Sequence, residues 1–150
     1  MDETRKPGVL SAKEVAELLE REFSQVASRS SPIKIEDAWH GGCRVRRAFS
    51  AQTLRPGGTI SGPTMMGLTD FAVYVAILAS VGPVPLAVTT NLNINFLRRP
   101  AQRDLIAEAR LIKLGKRLAV GEVAIYSEGD DEMVAHATST YSIPPPDQWG

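Results

Sequence analysis

Ser61-Gly62-Pro63-Thr64-Met65-Met66-Gly67-Leu68-Thr69-Asp70-Phe71-Ala72-Val73-Tyr74-Val75-Ala76-Ile77-Leu78-Ala79-Ser80 carries one charged side chain, Asp70, and no other charge occurs between Pro56 and Leu97. Pro63 suits the first turn of a helix, with Ser61 or Gly62 as its cap. Gly82-Pro83-Val84-Pro85 stops that helix at about Val81. A helix that is apolar on all sides is expected to be buried. A carboxylate inside it must be hydrogen-bonded, paired or functional, because an unpaired buried charge costs several kcal/mol or forces protonation. Asp70 is thus the first candidate for chemistry. The alternative is a carboxylate that caps or bridges two elements of the core.

Working outward, the flanks read as strands and one further helix. Ser11 to Ser28 is an amphipathic helix, with Ser11 and Glu14 in capping-box spacing and Val15, Leu18, Leu19, Phe23 and Val26 on one stripe. Ile33–Trp39 and Cys43–Ser50 are short strands about the turn His40-Gly41-Gly42, and Gln52–Gly62 is a loop. After the long helix, Leu86–Leu97 alternates with period two: Val88, Thr90, Leu92, Ile94 and Phe96 on one face, Thr89, Asn91, Asn93 and Asn95 on the other. The three asparagines suit a channel or interface, or else a wet outer face. Leu105–Leu114 and Leu118–Tyr126 flank the hairpin turn Gly115-Lys116-Arg117, and Met133–Ile143 closes the sheet before Pro144-Pro145-Pro146. Tight turns make the strands after the helix antiparallel neighbours. One all-apolar helix must then be wrapped by the sheet, which gives an α+β fold with a long central helix inside a curved antiparallel sheet and an extra N-terminal helix. A single domain over residues 1–150 is expected, with 1–30 as a helical extension and 144–150 as a tail.

Bulk composition narrows the function classes. Seventeen basic residues balance seventeen acidic ones, 43% of residues are hydrophobic and 23% charged, so no global field draws the chain to nucleic acid or a membrane. The apolar run Phe71–Val81 is short for a bilayer span, and the charged N-terminus lacks a signal-like stretch. A cytoplasmic location is expected. The lone Cys43 fits a buried small hydrophobe, and the two histidines are too far apart in sequence for a zinc or Cys–His site. His136 reads as a core or interface histidine and His40 as part of a turn. No metal and no phosphate-cradling glycine loop is expected.

At this point the motifs resemble a known family. Ser61-Gly62-Pro63 followed by Leu68-Thr69-Asp70-Phe71-Ala72 is similar, at matching spacing, to the His-Gly-Gly loop and Leu-x-Asp-x-Ala helix of the hotdog-fold acyl-CoA thioesterases of the phenylacetic-acid-degradation type. Asn95-Phe96-Leu97-Arg98-Arg99-Pro100 resembles the family's strand ending in Leu-Arg-Pro. Gly115-Lys116-Arg117-Leu118 resembles its Gly-Lys-x-Leu hairpin, and Val134-Ala135-His136-Ala137-Thr138 its final strand. The resemblance spans roughly residues 30 to 143. It implies a hotdog fold and hydrolysis of an acyl- or aryl-acyl-CoA to free acid and coenzyme A, with no cofactor other than the coenzyme A of the substrate. It also implies a homodimer whose two helices meet and whose active sites are shared, assembled further into a homotetramer.

The resemblance assigns roles as well. Asp70 activates water or attacks the carbonyl, the Gly62 N–H points at the thioester oxygen, and the Thr89 hydroxyl (Thr90 second) holds the water or the carboxylate. A helix start with free N–H groups suits a developing oxyanion on physical grounds too. Asp70 lies about two turns, roughly 10 Å, from the start of its own helix, so the Gly62 of a partner subunit is its natural complement. Two positions depart from the family pattern. Ser61 replaces the family's His, as a helix cap or a substrate-placing residue. Arg55 replaces its Asn, as an electrophile, as an ion-pair partner for Asp70 of the partner subunit, or facing solvent or a coenzyme A phosphate. Arg98, Arg99, Lys116 and Arg117 are candidate phosphate cations expected at one rim of the sheet. Met65, Met66, Phe71 and Tyr74 are candidate pocket residues. Two other functions stay open: a non-catalytic acyl-CoA binder, favoured by Ser61 and Arg55, and a hydratase, disfavoured because no His lies between His40 and His136.

Overall fold

The computed structural model describes residues 5–22 and 32–149. The amphipathic helix occupies Ala12–Glu22 (α1), opened by the expected capping box: Glu14 N–H donates to Ser11 Oγ and Ser11 N–H to Glu14 Oε1, each at 3.1 Å. The expected continuation through Phe23 and Val26 to Ser28 lies outside the described residues. Strands β1 (Ile33–Trp39) and β2 (Gly42–Arg47) follow, then a short ribbon, β3 (Leu54–Arg55) with β4 (Thr59–Ile60), inside the segment read as loop. The long helix is α2 (Gly62–Val81), followed by β5 (Val88–Phe96), β6 (Leu105–Leu114), β7 (Leu118–Ser127) and β8 (Met133–Ser142).

Six strands form one antiparallel sheet in the order β1-β2-β6-β7-β8-β5, curved around α2 in the hotdog arrangement. One sequence expectation is corrected here: β5 and β6 are not neighbours. Eight residues, too many for a tight turn, carry the chain across the ends of β8 and β7. Leu97 N–H bonds Val134 O at 2.8 Å and Ala101 N–H bonds Ser127 Oγ at 3.0 Å along the way. Strand β5 is therefore a sheet edge.

The expectation that α2 is wrapped all round holds for only part of its length. From Val75 to Ser80 every residue is buried, against the sheet on one side and against Val15, Leu18 and Leu19 of α1 on the other. A strap before α1 seals the end: Leu10 N–H bonds Ala79 O at 3.2 Å, and a Cβ on Gly8 would lie 2.5 Å from that same oxygen. Only glycine allows so close an approach. The N-terminal half instead leaves Pro63, Met66, Gly67, Asp70 and Tyr74 wholly or partly open, at the i, i+3/i+4, i+7 spacing of one helical stripe. By length and composition alone α2 would suffice to cross a membrane, but most of it is packed inside the fold. Leu78, fully buried in the sealed half, gives a direct check on that packing. Leu78→Ala should lower unfolding free energy by about 2–5 kcal/mol in chemical denaturation; a loss under about 1 kcal/mol, half the lower bound, would mean the packing is looser than described.

Candidate active site

Ser61 caps α2. Its Oγ accepts from Thr64 N–H at 3.3 Å and lies 2.8 Å from Thr64 Oγ1. Gly62 is the first helical residue, and its N–H meets no acceptor among the described residues. The Phe96 ring lies beside it, 3.2 Å from where a Cβ on Gly62 would be. Two turns further on, Asp70 is half-buried, and its Oδ1 accepts two hydrogen bonds, from Thr89 Oγ1 at 2.5 Å and from Tyr141 Oη at 2.8 Å.

Strict alternation puts Thr89 on the face opposite Ile94. Yet Thr89 reaches Asp70 while Ile94 packs on the core. A β-bulge reconciles them: Thr89 pairs with Tyr141, but Thr140 pairs with Asn91, so Thr90 is the extra residue. The bulge turns Thr89 inward and leaves Asn91, Asn93 and Asn95 on the convex face opposite α2, beside Thr140, Thr138 and His136. The asparagines therefore line no channel within this chain. His136 is not in the core either; its Nε2 lies 3.3 Å from Glu122 Oε2 on the convex face. Cys43 is buried, its thiol donating to Ala72 O at 3.0 Å, and burial pushes its pKa well above the usual thiol range.

Two clefts flank the open stripe of α2. One, about 770 Å³, contains Asp70, Thr89, Tyr141, Phe71 and Tyr74. The other, about 610 Å³, contains Gly62, Met65, Phe96, Arg55, Arg98 and Arg99. Met66 is exposed and lines neither. Arg55 makes no ion pair among the described residues, and Thr59 Oγ1 beside it is buried without a partner. Arg98 pairs with Glu132, while Arg99 donates to Gly57 O and so ties down the β3–β4 turn.

The expected single rim of cations is corrected. Arg98 and Arg99 stand where β8 begins, whereas Arg117 Nε bonds Ile143 O where β8 ends, with Lys116 beside it. Nine residues of strand, about 30 Å, separate the two pairs. The sequence reading also overlooked Tyr141. It is 71 residues from Asp70 and looks like any strand aromatic; its register opposite Thr89 is the only signal, and the unseen bulge hides that register.

A carboxylate pinned on the open stripe of a helix inside a curved antiparallel sheet is a hotdog fold that carries a candidate active site. The thioesterase superfamily's sequence profile matches residues 57–134, from the second cleft to the last strand. The chain belongs to the thioesterase superfamily. It is 42% identical to a candidate thioesterase from Silicibacter sp. TM1040 whose crystal structure superposes with a TM-score of 0.82, covering 92% of this chain and 94% of that one. It is 31% identical over 137 residues to a candidate esterase from Saccharolobus solfataricus, covering 90% of this chain and 87% of that protein. The PaaI protein of the Escherichia coli phenylacetic acid degradation operon, 21% identical, shares the fold with a TM-score of 0.74 over 89% of this chain and 96% of that one.

Proposed function

We propose that the protein hydrolyses acyl-CoA thioesters, with active sites shared between two subunits of a homodimer. The observation that carries this reading is the position of β5. It pairs with β8 alone among the described residues and presents a nine-residue open edge, with Val88, Phe96 and Leu97 more than 50% exposed or at 50%. So long an open edge is an aggregation hazard unless something covers it. A second copy placed about a two-fold axis would cover it antiparallel. The Asp70 cleft lies at the Val88 end of β5 and the Gly62 cleft at the Phe96 end. Antiparallel pairing sets each Asp70 cleft beside the partner subunit's Gly62 cleft. The same pairing moves Lys116 and Arg117 to the end where the partner's Arg98 and Arg99 lie, assembling a basic rim for the phosphates of coenzyme A.

In the composite site, Asp70 takes a proton from water as the water oxygen attacks the thioester carbon. The Gly62 N–H of the partner subunit donates to the carbonyl oxygen as it becomes an oxyanion. The partner's Arg55, which lines the same cleft as that N–H and has no ion pair among the described residues, adds a cation to the developing charge. The tetrahedral intermediate collapses with cleavage of the C–S bond. The acid is released, and the coenzyme A thiolate takes the proton that Asp70 holds, which restores the carboxylate. The reaction so written uses no cofactor beyond the coenzyme A of the substrate. Free-thiol release from a panel of short, medium, long and aryl acyl-CoAs tests it. Hydrolysis of one class identifies the substrate. Tight acyl-CoA binding with no thiol release from any of them would instead make the protein a binder in which Ser61 and Arg55 have replaced a catalyst.

A further inference from the structure

We propose that Tyr141 is a positioning residue for Asp70: with Thr89 it occupies Oδ1, leaving Oδ2 as the single oxygen free to react. This rests on the thioesterase reading above. The tyrosine hydroxyl has one proton and two acceptors in reach, Asp70 Oδ1 at 2.8 Å and Asp70 O at 2.9 Å. That one proton is shared between the side chain and the backbone of the same residue. Thr89, its cross-strand partner, donates to the same Oδ1. No donor among the described residues reaches Oδ2.

Tyr141 is itself well fixed. It is 2% exposed, and its ring stacks on Tyr74 at 6.2 Å between centroids. The Tyr74 hydroxyl is anchored on Pro85 O at 2.8 Å. Burial, joined by the neighbouring Asp70, pushes the Tyr141 phenol above its ordinary range, so it remains a protonated donor. A carboxylate with both oxygens free can rotate about its last torsion, which is broad for aspartate. Two donors on one oxygen stop that rotation and aim the other oxygen into the cleft.

The test is a double-mutant cycle on the full chain with Tyr141→Phe, which keeps the ring and its stack. Tyr141→Phe should lower kcat about tenfold to a hundredfold, the scale of a misplaced reacting group, with KM changed less than about twofold. In the Asp70→Asn background the same change should leave the residual rate unaltered, because Tyr141 acts only through Asp70. Equal losses in both backgrounds would mean a structural role and overturn the proposal. A crystal structure of Tyr141→Phe decides the point without turnover. A second Asp70 rotamer supports positioning, whereas a single unchanged rotamer overturns it, even if no acyl-CoA is hydrolysed and the thioesterase reading itself fails.

Discussion

Asp70→Asn will reduce thiol release from the preferred acyl-CoA by about 10²–10⁴-fold, the usual contribution of a positioned general base. Asparagine keeps the size of the side chain, and its carbonyl oxygen can still accept from Thr89 and Tyr141. What is lost is the charge and the ability to take a proton. Asp70 is half-buried and lies on the open stripe of α2, so little packing is disturbed and the melting temperature should hardly move. Steady-state thiol release alongside a thermal melt separates the two effects. A variant that keeps its rate within tenfold, folded or not, would remove Asp70 from the chemistry.

The second large effect comes from the shared site and needs two inactive proteins. Gly62→Pro deletes the N–H proposed for the oxyanion at the first helical position, which accepts proline, while Pro63 after it disfavours helical backbone there, so a thermal melt accompanies the rate measurement. A Cβ at this position would lie 3.2 Å from the edge of the half-exposed Phe96 ring, which has to give way by a few tenths of an ångström. A loss of about 10²–10³-fold is expected. Refolding this variant together with Asp70→Asn should then restore activity. Half of the dimers in a statistical mixture are hybrids, and in each hybrid one site collects both lesions while the other collects neither. About one quarter of the wild-type rate should return. If the two groups served the same subunit, every site in the mixture would keep one lesion and nothing would return.

The elements that carry local signals were legible in the sequence. Ser11 and Glu14 announce the first helix, Ser61 caps the second, and Gly115-Lys116-Arg117 turns a hairpin where expected. Asp70 stands out as the lone charge in its stretch. The misreadings share one physical origin: they depend on contacts between residues distant in the chain. The extra residue at Thr90 is chemically an ordinary strand residue, so nothing in the alternation marks it, and Thr89 is grouped with the asparagines although it lies on the opposite face. The edge position of β5 follows from where an eight-residue connection lands, which composition does not encode. The half-open state of α2 is equally hidden, because its apolar residues are the same type whether α1 or a cleft lies against them.

That division of α2 bears on how the protein can change over generations. Residues beyond Tyr74 are committed to packing against the sheet and α1, and substitution there threatens the fold. Those on the open stripe before it, Met66 apart, face a cleft and touch little of the core, so they can vary at small cost in stability. Acyl-group preference can therefore diversify by mutation in the first three turns of one helix, while the last two turns preserve the architecture that makes the experiment in diversity survivable.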